Sequence, residues 1–272
     1  MLEMRDAESG TSADATRYWD KVGSEWTEPS RDPMWRAHAD SVNSKLLARW
    51  LPASGCERVL KTDLFDEAVA EGVYPLLASR AQRVTGVDLS PVVVGLANAR
   101  YPELAGVVAD VCRLPFGDGE FDSIVSLSTL DHFNAVEEIR QGLLELHRVL
   151  APGAILLITL DNGSNPVVAL RNRLPFGLLR RLGLVPYRVG KTCTARSLVA
   201  QLRSCGFAVE DLTYVLHCPR LPALRAGRVV KRRASAATRD RFLRLLGSCE
   251  RLEEWPTRAV TGYFVAALAR KR

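Results

Sequence analysis

No stretch of this 272-residue chain stays apolar over the ~18 residues that a membrane span needs, so a transmembrane helix is not expected. The start, Met1-Leu2-Glu3-Met4-Arg5-Asp6, lacks the apolar core of a secretion signal. Six cysteines are scattered with no CxxC pair, which argues against a zinc site or a disulfide framework and suits a reducing, cytoplasmic setting. There is no Walker-type loop, no Ser-His-Asp logic, no metal-ligand spacing and no internal repeat. The most informative absence follows Arg58-Val59-Leu60. This is where a nucleotide-binding α/β domain places its first strand and a glycine-rich turn, and the turn has no glycine: it reads Lys61-Thr62-Asp63-Leu64-Phe65-Asp66-Glu67-Ala68.

What is present is ordinary for a globular chain, at 47% hydrophobic and 25% charged residues. The net charge of +6 hides an asymmetry. Residues 1–161 carry 15 Lys and Arg against 25 Asp and Glu, a net −10; residues 162–272 carry 22 against 6, a net +16. A basic half either faces something anionic or is a solvated, arginine-rich surface, and the sequence leaves both open.

Hydrophobic patterning predicts a helix over 37–51, stopped by Pro52, then strands alternating with helices. Strands are expected from Arg58, ending at Asp88, over 107–111, over 121–127 and over 154–160. Helices are expected over 71–79, 92–100 and 136–150, the middle one capped by Ser90-Pro91. Alternation of this kind means a parallel sheet covered on both faces. Beyond it lie a broken basic amphipathic stretch over 162–191, a helix over 194–205, a strand over 207–216, a helix over about 240–252 and a last strand over 262–267. The aromatics before the first strand, Trp19, Trp26 and Trp35 among them, form either a lid or plain core.

Ligands of open parallel sheets bind beyond the carboxyl ends of the strands. An acid ending the second strand, Asp88, is placed to accept hydrogen bonds from ribose hydroxyls. Asp110 with the backbone of Val111, after the third strand, is placed to read an adenine edge.

Residues from about 57 to 160 resemble class I S-adenosylmethionine-dependent methyltransferases, the small-molecule, type 11-like branch that includes quinone-biosynthesis C-methyltransferases. The resemblance rests on Val87-Asp88-Leu89-Ser90, on Leu114-Pro115-Phe116 with Phe121-Asp122, on Ser126 to Phe133, and on Arg148-Val149-Leu150-Ala151-Pro152-Gly153. It implies an α/β, doubly wound, mostly parallel seven-stranded sheet with an antiparallel last hairpin and a helical insertion after strand five. It implies S-adenosylmethionine as cofactor, held by Asp63, Asp88, Leu89, Asp110, Val111 and Ser126. His132, with Asp131 second, is the candidate base for an O- or N-acceptor. We expect tail and lid helices over 1–56 and the methyltransferase-like domain over 57–272. Within it, a basic cap over 162–191 and a second basic helical insertion over 218–256 are expected, the cap and N-terminal helices forming the acceptor pocket.

The chain departs from the family at its first motif. Lys61 stands at the acid position, and Asp63, Phe65 and Glu67 stand where three glycines would be. Three readings stay open: a methyltransferase with a remodelled loop, in which Asp63 or Asp66 takes the methionine ammonium; a methyltransferase-like pseudo-enzyme serving as partner or scaffold; and other chemistry in the old pocket. For an active enzyme the expected acceptor is a small molecule, phosphorylated or lipid-linked. The basic segments suggest peripheral contact with an anionic membrane at its inner face, and specific nucleic-acid binding is not expected, because aromatics are sparse in the basic half.

Overall fold

The computed structural model describes residues 12–26, 32–53, 55–181, 185 and 190–272. Among these, no helix is long and apolar enough to cross a membrane.

Two helices, α1 (Ser12–Trp26) and α2 (Pro33–Trp50), precede the sheet. The alternating part runs β1 (Cys56–Lys61), α3 (Phe65–Val69), α4 (Tyr74–Ala78), β2 (Ala81–Asp88), α5 (Pro91–Arg100), β3 (Ala105–Val108), β4 (Phe121–Leu127), α6 (Val136–Val149) and β5 (Leu150–Asp161). The remainder is α7 (Pro166–Arg173), α8 (Phe176–Arg181), α9 (Ala195–Ser204), β6 (Phe207–Val215), α10 (Arg220–Arg233), α11 (Ala236–Ser248), α12 (Arg258–Thr261) and β7 (Phe264–Lys271).

The seven strands form one sheet in the order β3-β2-β1-β4-β5-β7-β6. β1 to β5 are parallel; β7 runs antiparallel to both β5 and β6. The expected topology is therefore present, including the antiparallel final hairpin. Each central strand buries both faces, which explains its continuous hydrophobic run. Val59, Val125 and Leu157 join one core beneath α2 and α5, while their neighbours Leu60, Ile124 and Leu156 join the other beneath α6 and α9. On α6, Ile139, Leu143 and Leu146 are fully buried at helical spacing.

Several boundaries differ from the sequence reading. The helix expected over 71–79 is shortened to the single turn α4, with another single turn, α3, before it. Gly72 takes a left-handed φ of 64° between them, and the Glu67 carboxylate accepts the Val73 N–H at 2.9 Å, which closes α3 and starts α4. Pro75 sits in the first turn of α4, where its missing N–H costs nothing. The third strand ends at Val108 rather than Val111, because the Asp110 carboxylate turns the chain by accepting the Cys112 N–H at 2.8 Å. The last strand begins at Phe264, since Gly262 closes α12 instead. The basic run after Arg220 is helix, and the helix expected over 240–252 begins at Ala236 and ends at Ser248.

Candidate active site

The strand order reverses between β1 and β4, so the loops leaving these strands diverge and open a cleft at their carboxyl ends. One wall is Val87, Asp88, Leu89 and Val93; another is Ala109, Asp110 and Val111. The floor is Thr62, Asp63, Phe65 and Asp66, and the mouth is Ser128, Thr129, His132, Phe133 and Trp19.

Asp88 owes its position to packing below it. Gly86 on β2 leaves room for the Leu64 side chain; a Cβ there would lie 2.4 Å from a Leu64 methyl. Leu64 is fully buried in that space, and its N–H donates to Asp88 Oδ2 at 3.1 Å. The Ser90 N–H donates to Oδ1 at 2.9 Å. Ser90 also caps α5, accepting the Val93 N–H at 3.2 Å. The Asp88 carboxylate is thus fixed by one donor on each oxygen, with lone pairs left for the cleft.

The remodelled loop carries a charge-reversed pair. Lys61 Nζ lies 2.7 Å from Glu67 Oε2, with the two side chains 3% and 0% exposed. Lys61 also donates to the Asp63 carbonyl. The lysine therefore turns behind the loop, away from the cleft, and is not available to balance a ligand carboxylate. Burial pulls the Lys61 ammonium down, but Glu67, Asp63 and Asp66 outweigh it and hold the ammonium above its ordinary value. Asp63 does face the cleft, its Oδ1 accepting the Phe65 N–H at 2.8 Å. Burial pushes its carboxyl well up, aided by Asp88 and Asp66 and opposed by Lys61. Burial also raises Asp88, against the N–H donors of Ser90 and Leu64. Two carboxyls held above their usual range in one cleft favour a cationic group between them.

Asp63, Asp88, Leu89, Asp110, Val111 and His132 all line the cleft. Ser126 and Asp131 do not. Ser126 is fully buried beneath the floor, where its hydroxyl accepts from Thr62 Oγ1 at 2.9 Å. Asp131 is fully buried behind the mouth, and its Oδ2 accepts the Ser128 hydroxyl at 2.8 Å and the Asp161 N–H at 3.1 Å. It holds the segment that carries His132, with Oδ1 3.8 Å from His132 Nε2, so a role as second base is corrected to one of support. The His132 ring packs edge-on against Trp19, centroids 4.8 Å apart. Trp19 therefore lines the mouth of the cleft. Trp35 packs instead against the group around Cys218, Ala223 and Leu246, and the Trp26 side chain lies outside the described residues.

Sequence reasoning missed Thr62, Ser128 and Thr129. Ser128 adopts a left-handed φ of 54°, rare for a residue with a Cβ, and its N–H donates to Thr159. Its position directly after the fourth strand was the available signal. His38 and His217 serve the fold: His217 bonds Thr261 and Tyr214, and His38 lies 3.5 Å from Glu250. His147 packs edge-on against Phe207.

A second hollow, of about 880 Å³, lies between the 131–134 segment and the basic stretch after β5; Asn134, Arg171, Leu174, Phe176, Lys191 and Thr192 line it. The N–H groups of Gly190 and Lys191 donate to the carbonyls of Asp131 and Phe133, each at 2.7 Å, tying this stretch to the His132 segment. Arg171 is committed to the fold: it bonds Asp161 at 2.8 Å and the Tyr263 hydroxyl at 2.9 Å. Residues 182–184 and 186–189 of the expected cap lie outside the described residues.

A seven-stranded sheet of this order, with a cleft at its switch point and an acid fixed at the end of β2, defines a class I methyltransferase-type α/β fold. Residues 70–158 match the family model described as a methyltransferase domain. A probable S-adenosylmethionine-dependent methyltransferase of Mycolicibacterium smegmatis is 29% identical over 182 residues, covering 65% of each chain. The demethylmenaquinone methyltransferase of Chlorobaculum tepidum is 35% identical over 94 residues, covering 33% of this chain and 38% of that one. The chain thus spans under two thirds of the length of these relatives. Among solved structures, the [4+2]-cyclase SpnF superposes with a TM-score of 0.64 at 19% identity, over 97% of both chains. Residues 70–158 are thus similar to the methyltransferase-domain family, and the chain as a whole shares the fold.

Proposed function

We propose that this protein is an S-adenosylmethionine-dependent methyltransferase acting on a small acceptor, anionic or lipid-linked. The observation that carries the proposal is the Asp88 carboxylate, fixed by the Leu64 and Ser90 amides and lining one cleft with Asp110 and Val111. Asp88 would hold the ribose, with Asp110 and the Val111 backbone at the base. Asp63 and Asp66 face the cationic half, where an ammonium and a sulfonium relieve the crowding of carboxyls described above. When bound, the cofactor supplies a methyl group on a cationic sulfur. The rest falls to positioning: Trp19 covers the mouth, and His132 stands ready to take the proton of a hydroxyl or amine acceptor. The anionic acceptor rests on the basic stretch beside the second hollow, with the Lys191 side chain exposed at its edge.

A second reading rests on the Lys61–Glu67 pair. The family's glycines let the backbone pass close to the methionine half of the cofactor, and here the same positions carry side chains. A chain of this fold is called a [4+2]-cyclase, so the sheet alone does not fix the reaction. Calorimetric titration with S-adenosylmethionine and S-adenosylhomocysteine separates the readings. The methyltransferase reading expects about micromolar binding of both, near −8 kcal/mol. A folded chain that binds neither is a pseudo-enzyme or runs other chemistry.

A further inference from the structure

Residues 220–248 carry nine Lys and Arg against a single acid, Asp240. They fold into α10 and α11, which pack on α2 through Ala223, Phe242 and Leu246. Two of the arginines are engaged by the fold: Arg228, at the surface, pairs with Asp32 at 2.7 Å, and Arg220 lies over the Trp35 and Tyr263 rings. Arg225, Arg232, Arg241 and Arg244 turn outward, and none of them is in an ion pair among the described residues. Arg225, Val229 and Arg232 recur at i, i+4 and i+7, so they share one face of α10, and Arg241, Arg244 and Leu245 share one face of α11. Val229 and Leu245 are 58% and 63% exposed within these arginine rows. The coincidence extends further. Among the described residues nine large hydrophobics are exposed, and seven of them lie beyond residue 161, in the part with a net +16.

We propose that the outer face of α10 and α11 docks on an anionic lipid surface. Charge complementarity supplies the attraction, and each arginine near such a surface adds to it. The exposed valine and leucine choose lipid over nucleic acid: a phosphodiester backbone offers them nothing, whereas the acyl boundary removes them from water. Nor does the face offer an aromatic platform for bases, since Phe242 is packed against the core. The inference is independent of what the cleft binds.

The test is co-sedimentation of the full chain with vesicles of phosphatidylcholine alone and of phosphatidylcholine mixed with phosphatidylglycerol, at about 0.05 M and about 0.5 M salt. Binding is expected to the mixed vesicles at low salt, with release at high salt. Replacing all four arginines (R225Q, R232Q, R241Q, R244Q) should weaken it on the order of a thousandfold. V229S with L245S should weaken it at least about tenfold. R83Q with R100Q, exposed in the acidic half, should leave it unchanged and serves as the folding and charge control. Equal binding to both vesicle types, or none to either, overturns the proposal. So does tighter binding to a double-stranded DNA fragment that V229S with L245S does not disturb, which would assign the face to nucleic acid.

Discussion

Replacing Glu67 by alanine should cost the fold about 3–5 kcal/mol, because it strands a buried ammonium. Lys61 and Glu67 are 3% and 0% exposed and 2.7 Å apart, so neither has water to fall back on. Without Glu67, Lys61 keeps only the Asp63 carbonyl, and the Val73 N–H loses its acceptor. For a chain of this length each kcal/mol moves the melting temperature by roughly 2–4 °C, so a fall of roughly 6–20 °C is expected. The assay is equilibrium urea unfolding followed by the fluorescence of the five tryptophans. Lys61→Met combined with Glu67→Gln removes both charges and keeps an acceptor for Val73; it should recover to within about 2 kcal/mol of the parent, since a buried pair adds little over well-packed neutral groups. A loss below about 1 kcal/mol in Glu67→Ala alone would refute the reasoning, for it would mean that the loop opens and hydrates the lysine.

Three further outcomes are expected. Asp88→Ala should raise the dissociation constant for S-adenosylhomocysteine at least about a hundredfold in calorimetry, whereas Ser126→Ala, beneath the floor, should change it by less than about threefold; equal effects would remove the ribose assignment. His132→Gln should lower kcat with little change in cofactor affinity, once an acceptor is in hand, and a parallel loss of affinity would make His132 a packing residue. Burial, with Asp66 beside it, pushes Asp40 up to about 7, so between about pH 4 and 7 the folded chain holds a proton that the unfolded chain has released. Stability then falls as pH rises through that window and levels above it; Asp161, pushed up to about 6 by burial and Asp131, slopes the same way. Asp40→Asn should flatten part of the slope in urea unfolding at a series of pH values, and an unchanged slope would place Asp40 in solvent.

The sequence by itself determined the sheet. Hydrophobic runs buried on both faces, Ser90-Pro91 before a helix and Leu-periodic α6 are local signals, each set by the chain's own spacing, and they led to a covered parallel sheet and the strand-end acids Asp88 and Asp110. Tertiary structure alone decided which polar groups face the cleft. Ser126 lies within β4 and Ser128 directly after it, yet one is buried under Thr62 and the other stands at the mouth, because a left-handed Ser128 turns the chain. Asp131 and His132 are adjacent, and only the histidine reaches the cleft. The destination of Lys61 was likewise invisible: whether it balances a ligand or a neighbour depends on Glu67, brought back by one helical turn, and on the short helices that Gly72 divides. Periodicity tells which residues leave water; which partner a buried charge finds is set by distances that exist only once the chain has closed on itself.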